Sequence, residues 1–248
     1  MTEAANVTKL QAPIAFEFSH IADLTHTLSG DTPYFHIEGV SFPFHMEPLT
    51  RLEEVGVYTT KWTMYDHHGT NINSPNHFIA GGAAAHELDV GSFFAPLAII
   101  NIADRAKDDP DTALTVDDIL AWEAEHGRLP DGAAVFLRAD WDRFADDLTK
   151  HLNRDAEGVR HNPGFSAEAA RFLVQKRDIV GIGTETVAVD WGPDPDFQTH
   201  KIIHGAGKWA VENLTGLAAV PEAGATLILG PSKVKGASGG MTRVLAVW

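Results

Sequence analysis

Residues 66–78 are the part of the chain where side chains able to bind a metal or move a proton are most concentrated. The segment contains three histidines and three asparagines, and it reads Asp-His-His-Gly-Thr-Asn-Ile-Asn-Ser-Pro-Asn-His-Phe. Its flanks are apolar or aromatic, so we expect it to run into the interior of the protein. Imidazoles and amides that are buried must be hydrogen-bonded or bound to a ligand.

This segment has two interpretations. If the backbone turns at Gly69, the side chains of His67, Asn71 and Asn73 can converge on one cation, since metal sites need nitrogen or oxygen donors within about 2.0–2.2 Å of the ion. The alternative is a polar turn in which the asparagine side chains bind their own backbone. The spacing alone leaves both interpretations open.

A second group of candidate residues lies nearer the C-terminus. His200 and His204 are four residues apart, so on a helix they would share one face. Glu212 stands among apolar residues in the sequence Trp-Ala-Val-Glu-Asn-Leu. A carboxylate in such surroundings is either buried and paired or bound to a cation. A histidine pair at this spacing is common on exposed helices, so Glu212 is the stronger indication of a site.

The acidic clusters have a simpler interpretation. Residues 190–196 are rich in proline and aspartate, which predicts a turn-rich loop that caps the following helix. Residues 108–111 and 140–147 are typical of acidic faces in contact with solvent.

Composition limits the chemistry further. The chain of 248 residues has no cysteine and 13 histidines, so a transition metal would be held by imidazole and oxygen, which suits Zn, Mn, Fe or Ni. The net charge of −15 disfavours binding to nucleic acid or to an anionic membrane. No apolar run reaches the roughly 20 residues of a membrane span, and no signal-peptide pattern is present, so we expect a cytoplasmic protein.

Strand and helix patterns alternate along the chain without a break in composition, which predicts one α/β domain over residues 1–248 with residues 1–15 as an N-terminal arm. Predicted strands lie at residues 97–102, 133–137, 179–183, 225–229 and 242–247. Residues 30–50 are predicted to be irregular, and residues 236–240 to form a hairpin loop.

Three helices are predicted. Two begin after the capping residues Thr115 and Ser166, and the third begins near Asp196 and carries the two histidines. The first is expected to bury Val116, Ile119, Leu120 and Trp122.

The segment at 66–78 resembles the signature of the cyclase-like metal-dependent hydrolases, the family of bacterial kynurenine formamidase and isatin hydrolase. The family pattern His-x-Gly-Thr-His-x-Asp-x-Pro-x-His is matched from His67 to His77, with Asn71 and Asn73 in place of the second His and the Asp. Further matches cover almost the whole chain: Asp23–Leu28, Val135–Trp141, Pro163–Ser166, Gly181–Asp190, His200 and Glu212.

The resemblance implies a swivelling β/β/α-type α/β fold with a mixed sheet core. It also implies metal-dependent hydrolysis of an amide, either a formamide or a cyclic amide, or of a lactone. Carried over by position, the metal ligands are His67, Asn73, His200 and Glu212, and the catalytic residues are His77 and Asn71. Two neighbouring divalent cations repel each other strongly, and a neutral asparagine does not offset that repulsion. We therefore expect one divalent ion, Zn or Mn, instead of two.

In the mechanism that this resemblance implies, the ion lowers the pKa of a water toward about 7, and the water attacks the substrate carbonyl. His77 relays the proton as an imidazole that titrates near neutrality. The amides of Asn71 and Asn73 stabilise the oxyanion or hold the substrate. The candidates for an apolar wall are Phe35, Phe44, Trp62 and Tyr65.

Two other functions are open. One is a non-hydrolytic cyclase or dehydratase on the same fold, which the two asparagines favour. The other is a small-molecule binding protein with a degenerate site, although the retention of His67, His77, His200 and Glu212 argues against it. The expected partner is a small-molecule substrate. The resemblance also implies a homodimer or larger assembly, for which the aromatic segment at residues 33–46 would suit subunit exchange.

Overall fold

The computed structural model describes residues 17–248, so the N-terminal arm predicted for residues 1–15 lies outside the described residues. Within residues 17–248 the chain forms twelve strands and six α-helices. The strands are β1 (Ile21–Asp23), β2 (His45–Thr50), β3 (Thr59–Thr63), β4 (Asn71–Asn73), β5 (Phe94–Asn101), β6 (Ala113–Leu114), β7 (Ala133–Arg138), β8 (Gly164–Phe165), β9 (Ile179–Thr184), β10 (Trp209–Glu212), β11 (Ala225–Pro231) and β12 (Gly239–Val247). The helices are α1 (Leu52–Val55), α2 (Ala103–Asp108), α3 (Val116–His126), α4 (Leu148–Leu152), α5 (Ala167–Lys176) and α6 (Gln198–Gly205).

Eight of these strands form one mixed sheet in the order β1-β12-β11-β5-β7-β9-β10-β4. Because β4 also pairs with β12, seven of the strands close into a barrel-like ring, and β1 is attached to its edge. Strands β5, β7, β9 and β10 are mutually parallel, and the remaining pairings are antiparallel. The mixed α/β fold predicted from the sequence is confirmed.

Alternation along the strands builds two apolar cores. Leu97 and Ile99 of β5 point into the ring, while Ala98 and Ile100 point outward and contribute to the core beneath helices α3 and α5. Successive side chains of a strand point to opposite faces, so a strand that is covered on both sides must be apolar throughout. This explains the continuous apolar runs that mark β5 and β7 in the sequence.

Glycine allows a close approach inside the ring at strand β9. A Cβ atom at Gly181 would lie 2.2 Å from the ring of Trp209, the residue that faces it on β10. Trp209 is fully buried, so its indole occupies the volume that a side chain at position 181 would need. The pairing of β9 with β10 therefore places Glu212, at the end of β10, in a fixed position.

The predicted boundaries agree closely with the structure in several places. Thr115 caps α3 in a capping box with Asp118, and Ser166 caps α5 by accepting a hydrogen bond from the backbone of Ala169. The strands predicted from apolar runs are present as β5, β7, β9, β11 and β12. Helix α6 begins at Gln198, two residues later than predicted.

Three sequence predictions need correction. Residues 45–50 form strand β2 and are not irregular. Pro48 obscured the strand pattern in the sequence. This proline lies beside a register shift in the two-stranded ribbon of β2 and β3, where a missing backbone N–H is tolerated. Leu120 is 44% exposed, because α3 turns it away from the core side that Ile119 and Trp122 occupy. Gly239 and Gly240 belong to β12 and not to the hairpin loop.

The interpretation of residues 140–147 as a solvated acidic face is also wrong for one residue. The Oδ2 of Asp142 accepts hydrogen bonds from the Oγ1 of Thr215 at 3.0 Å and from the backbone N of Gly216 at 2.9 Å. Asp142 therefore fixes the loop that follows β10.

Among residues 17–248, every helix is too short or too polar to cross a membrane.

Candidate active site

The predicted site residues come together where β4 and β10 pair. In this antiparallel pair Glu212 lies opposite Asn71, and Ala210 lies opposite Asn73. A short 3-10 turn, Pro75–His77, follows β4, and helix α6 brings in His200. A cavity of about 420 Å³ opens at this junction. Its polar lining comes from β10, the 3-10 turn, α6 and the segments just before β4 and β12: Asp66, His67, His77, His200, Glu212 and Ser238.

The cavity walls are partly those expected. Phe35 and Tyr65 line the cavity, and Ile37, Phe78 and Phe197 join them. Phe44 and Trp62 do not line the cavity. They pack against each other with ring centroids 6.1 Å apart, and Trp62 is 54% exposed on the β2–β3 ribbon. A separate groove of about 500 Å³, bordered by Thr25 and Arg243, contains none of the predicted site residues.

His67 is held by hydrogen-bonding groups at both of its ring nitrogens. Its Nδ1 lies 3.3 Å from the Oδ1 of Asn71, and its Nε2 lies 2.8 Å from the Oγ of Ser238. The same Oγ lies 2.7 Å from the Oδ2 of Asp66, which can accept its proton. The predicted turn at Gly69 is present with φ of +61°, and it lets the Nδ2 of Asn71 donate to the Gly69 carbonyl at 2.9 Å.

His77 stacks on His67 with ring centroids 3.9 Å apart. Burial is the main factor that lowers the pKa of His77, and positive charge on His67, His200 and His204 lowers it further, to about 2. The expectation that His77 titrates near neutrality is therefore wrong for this structure. At neutral pH its imidazole is uncharged and offers one N–H and one lone pair.

His200 lies between two carboxylates. Its Nδ1 is hydrogen-bonded to the Oδ2 of Asp190, and its Nε2 lies 3.1 Å from the Oε1 of Glu212. Burial opposes the charged imidazolium, but the charge of Asp190 and the hydrogen bonds to Asp190 and Glu212 outweigh it and raise the pKa of His200 to about 10. The carboxylates therefore stabilise positive charge at this position.

Asp190 is the functional residue that sequence reasoning missed. It was interpreted only as part of a turn-rich loop that caps the following helix, whereas its side chain is fully buried and accepts hydrogen bonds from both the ring and, at 3.1 Å, the backbone N of His200. The apolar run Val187–Val189 directly before it was the available signal, since such a run leads a chain into the interior. Ser238 was also missed, because a glycine-rich hairpin gives no sign of what its serine contacts.

The site offers several of the donors that a divalent ion needs. The Oδ1 of Asn73 is buried without a hydrogen-bond partner, and the Nε2 of His200 is buried with the carboxylate of Glu212 3.1 Å away. The amide of Asn73 lies beside the carboxylate of Glu212. Two ligands about 2.1 Å from one ion are themselves about 3 Å apart, so His200 and Glu212 have a suitable separation. The bond from Asp190 to Nδ1 is also typical of a metal-binding histidine.

The donor set is nevertheless a weak one. Within residues 17–248, no three histidine, aspartate or glutamate side chains are placed to hold a metal ion together. A third donor must therefore be the neutral amide of Asn73, because both nitrogens of His67 already contact protein groups. The residues fit a single ion and do not fit two.

The comparisons with known proteins identify the family. The Cyclase family model, described as "Putative cyclase", matches residues 22–191. The chain belongs to this family. Isatin hydrolase of Roseibium aggregatum is 36% identical over 190 residues, which cover 73% of this chain and 72% of that protein.

Two further members of the family support the assignment. Kynurenine formamidase of Bacillus cereus is 26% identical over 188 residues, covering 76% of this chain and 75% of that protein. Among solved structures, isatin hydrolase A from Ralstonia solanacearum superposes with a TM-score of 0.87 at 32% sequence identity. The superposition covers 92% of this chain and 91% of that chain. The sequence resemblance to this cyclase family is therefore confirmed, and its relatives are hydrolases.

Proposed function

We propose that this protein hydrolyses the carbonyl–nitrogen bond of a small amide, either a formamide or a cyclic amide, or the ester bond of a lactone. The observation that carries the proposal is that two hydrogen-bonded polar units face one cavity. One unit consists of Asp66, Ser238 and His67, and the other of Asp190, His200 and Glu212. The names of its relatives, isatin hydrolase and kynurenine formamidase, support the same bond type.

The residues that line the cavity have different roles in the proposed reaction. The rings of Phe35, Tyr65 and Phe197 form an apolar wall that suits a flat, aromatic substrate and limits the access of water. His77 is uncharged at neutral pH and can donate to or accept from the reacting group. When no metal ion is bound, the imidazolium of His200 places positive charge where an oxyanion develops during attack on a carbonyl.

We further propose that one divalent ion, Zn or Mn, binds at Asn73, His200 and Glu212. His67, the remaining ligand predicted from the motif, would join them only by giving up its contact with Ser238. Such an ion would polarise a carbonyl oxygen and lower the pKa of a bound water. The ion would take the place of the proton on the Nε2 of His200, and Asp190 would continue to hold the Nδ1.

Removal of the carboxylate at position 212 tests the metal and the reaction together. Glu212→Ala should lose both bound metal and the hydrolysis of isatin, while Glu168→Ala, which removes an exposed carboxylate from α5, should change neither. Metal content is measured by mass spectrometry on protein purified without chelator, and product mass shows whether water has been added. Two metal ions per chain would contradict the single-ion site, and a product without added water would contradict hydrolysis.

The cytoplasmic location and the homodimer or larger assembly stay predictions.

A further inference from the structure

Arg160 is a buried cation to which the proposed reaction gives no role. The residue is only 5% exposed, and its Nη1 is buried without a hydrogen-bond partner among residues 17–248. Burial lowers the pKa of the guanidinium, while the charges of Asp190 and Glu212 oppose this effect. A guanidinium stays protonated in proteins, so Arg160 carries a positive charge that is removed from water. Such a charge is costly unless other groups compensate it.

The groups that contact this charge are two aromatic rings. The Cζ of Arg160 lies 4.9 Å from the ring centroid of Phe35 and 5.6 Å from that of Phe197. The face of an aromatic ring is electron-rich and attracts a cation, most strongly where water is excluded. Both rings line the active-site cavity, whereas Arg160 does not. The guanidinium therefore contacts the wall of the cavity without being part of it.

The backbone of Arg160 is fixed by a tight hairpin. Arg154 and Arg160 pair across it in an antiparallel bridge, and the backbone N of His161 donates to the Asn153 carbonyl at 2.9 Å. The hairpin packs so closely on Gly192 that a Cβ atom there would lie 2.8 Å from the carbonyl oxygen of Arg160. The guanidinium thus projects from a rigid base.

The two rings come from segments that need such a support. Phe35 lies in the irregular segment between β1 and β2. Phe197 precedes helix α6 with φ of +52°, in the left-handed region that a residue with a Cβ adopts only at a cost in free energy. Arg154 also lies over Phe35, at 5.5 Å, but it is exposed to solvent. The ring centroids of Phe35 and Phe197 are 6.0 Å apart, and Arg160 contacts both from one fixed position.

We propose that Arg160 is the positioning residue that gives this site a preference for flat aromatic substrates, because it holds the rings of Phe35 and Phe197 where they stack on the substrate. The proposal deepens the proposed hydrolysis and rests on it for the identity of the substrate. The rings contact the flat face of the substrate and not its reacting carbonyl. Loss of the guanidinium should therefore weaken the binding of ground state and transition state alike, which raises KM and leaves kcat unchanged.

A role of Arg160 through Asp190 would give a different result. The charge of Arg160 also acts on Asp190, the carboxylate that is hydrogen-bonded to His200. If this were its main effect, loss of the charge would disturb His200, and kcat would fall for every substrate. The separation of KM from kcat therefore distinguishes support of the wall from support of the histidine.

Binding and turnover are measured on matched variants. Arg160→Met removes the charge and keeps an apolar side chain, and Arg143→Met is the control, because it removes a cation that lies 4.7 Å from the ring of Phe144, outside the cavity lining. Calorimetry gives the Kd of indole, a flat ring with no bond to hydrolyse, and steady-state kinetics give KM and kcat for isatin. For Arg160→Met we expect both the Kd of indole and the KM of isatin to rise about 5–30-fold, with kcat changed by less than about 3-fold. Arg143→Met should match the natural protein.

A second variant shows whether the effect passes through the rings. Phe35→Leu should also raise both constants, and adding Arg160→Met to it should raise them by a smaller factor than in the natural protein, because part of the contact is already lost. If Arg160→Met does not fold, Arg160→Lys takes its place. The lysine keeps the charge without the planar head group, so it should raise the Kd of indole by a smaller factor.

The outcomes separate this role from the proposed function. Indole binding that is unchanged in Arg160→Met, or a fall in kcat with an unchanged KM, overturns the role of Arg160. Failure of the natural protein to bind indole overturns it as well, and so does an equal factor for Arg160→Met with and without Phe35→Leu. Weaker indole binding in Arg160→Met, when the natural protein hydrolyses no amide or lactone, supports the role of Arg160 in binding a flat ring and contradicts the proposed function.

Discussion

At the scale of single residues, the hydrogen-bond partner of each histidine determines how that histidine is held in the site. Asp190 holds His200 by two hydrogen bonds, one to the ring and one to the backbone. Both residues are almost completely buried, so their interaction is screened little by solvent. Asn71 plays a similar part for His67 with a neutral amide. The two histidines therefore differ in their partners: His200 lies beside a charged carboxylate, and the amide that orients His67 brings no charge.

Asp190→Asn should lower activity without unfolding the protein. The asparagine amide can keep one of the hydrogen bonds to His200 but lacks the negative charge of the carboxylate. We expect kcat/KM for the amide substrate to fall about 10–100-fold, as is usual when the partner of a functional histidine is lost. The pKa of His200, followed by NMR, should fall as well. Asp196→Asn, an exposed change in the same loop, is the control. An unchanged pKa for His200 would show that Asp190 does not set its charge.

At the scale of elements, the pairing of β9 with β10 determines where Glu212 lies. This parallel pair includes the contact between Gly181 and Trp209, whose indole packs in the core within the ring. Helix α6 stands between the two strands in the sequence and packs on β10, so His200 and Glu212 are positioned by adjoining elements. A change that separates β9 from β10 should thus disturb the site as well as the core.

Gly181→Ala should destabilise the protein, because the new methyl group would overlap the ring of Trp209. We expect a loss of about 1–3 kcal/mol in the free energy of unfolding, the usual cost of overpacking a core. Gly230→Ala in β11 is the matched control, since its Cβ would meet Arg243 at an ordinary 3.8 Å and should change stability by less than about 1 kcal/mol. Denaturant unfolding measures both variants. Equal stability of the two would contradict the close approach.

At the scale of the whole molecule, several titratable groups are buried away from solvent. Burial lowers the pKa of His68 to about 4, and it lowers the pKa of His151 to about 4 despite a hydrogen bond with Asn213. Burial also raises the pKa of Glu185 to about 8, assisted by the charge of Asp142 and opposed by the backbone N–H groups of Ala139 and Trp141. The fold thus favours the neutral form of all three groups.

These shifts predict a stability maximum at about pH 6.5. As the pH falls from 6.5 to 4, the unfolded chain binds protons at His68 and His151 that the folded chain does not, so stability is lost. The contribution of Glu185 is complete below about pH 4.5 and is lost as the pH rises through about 8. The melting temperature measured across this range tests the prediction. Glu185→Gln should make the loss on the alkaline side smaller, and an unchanged alkaline limb would contradict the role of Glu185.

The sequence by itself determined the elements and the family. Apolar runs marked β5 and β7, the caps Thr115 and Ser166 marked two helices, and the motif from His67 to His77 named the family. These signals are readable because each depends on neighbours within a few residues along the chain. The same local reading failed at β2, where Pro48 obscured a strand pattern whose partner strand lies later in the chain.

Only the tertiary structure decided which side chains meet. Ser238 lies 171 positions from His67 in the sequence, yet their side chains are 2.8 Å apart because β12 pairs with β4. The sequence around Asp190 is typical of a turn, and only the structure shows that helix α6 places His200 against this carboxylate. Contacts of this kind depend on strand pairing and on the closure of the ring, which join distant segments. A hydrogen bond between residues so far apart in the sequence leaves no periodic pattern by which it could be predicted.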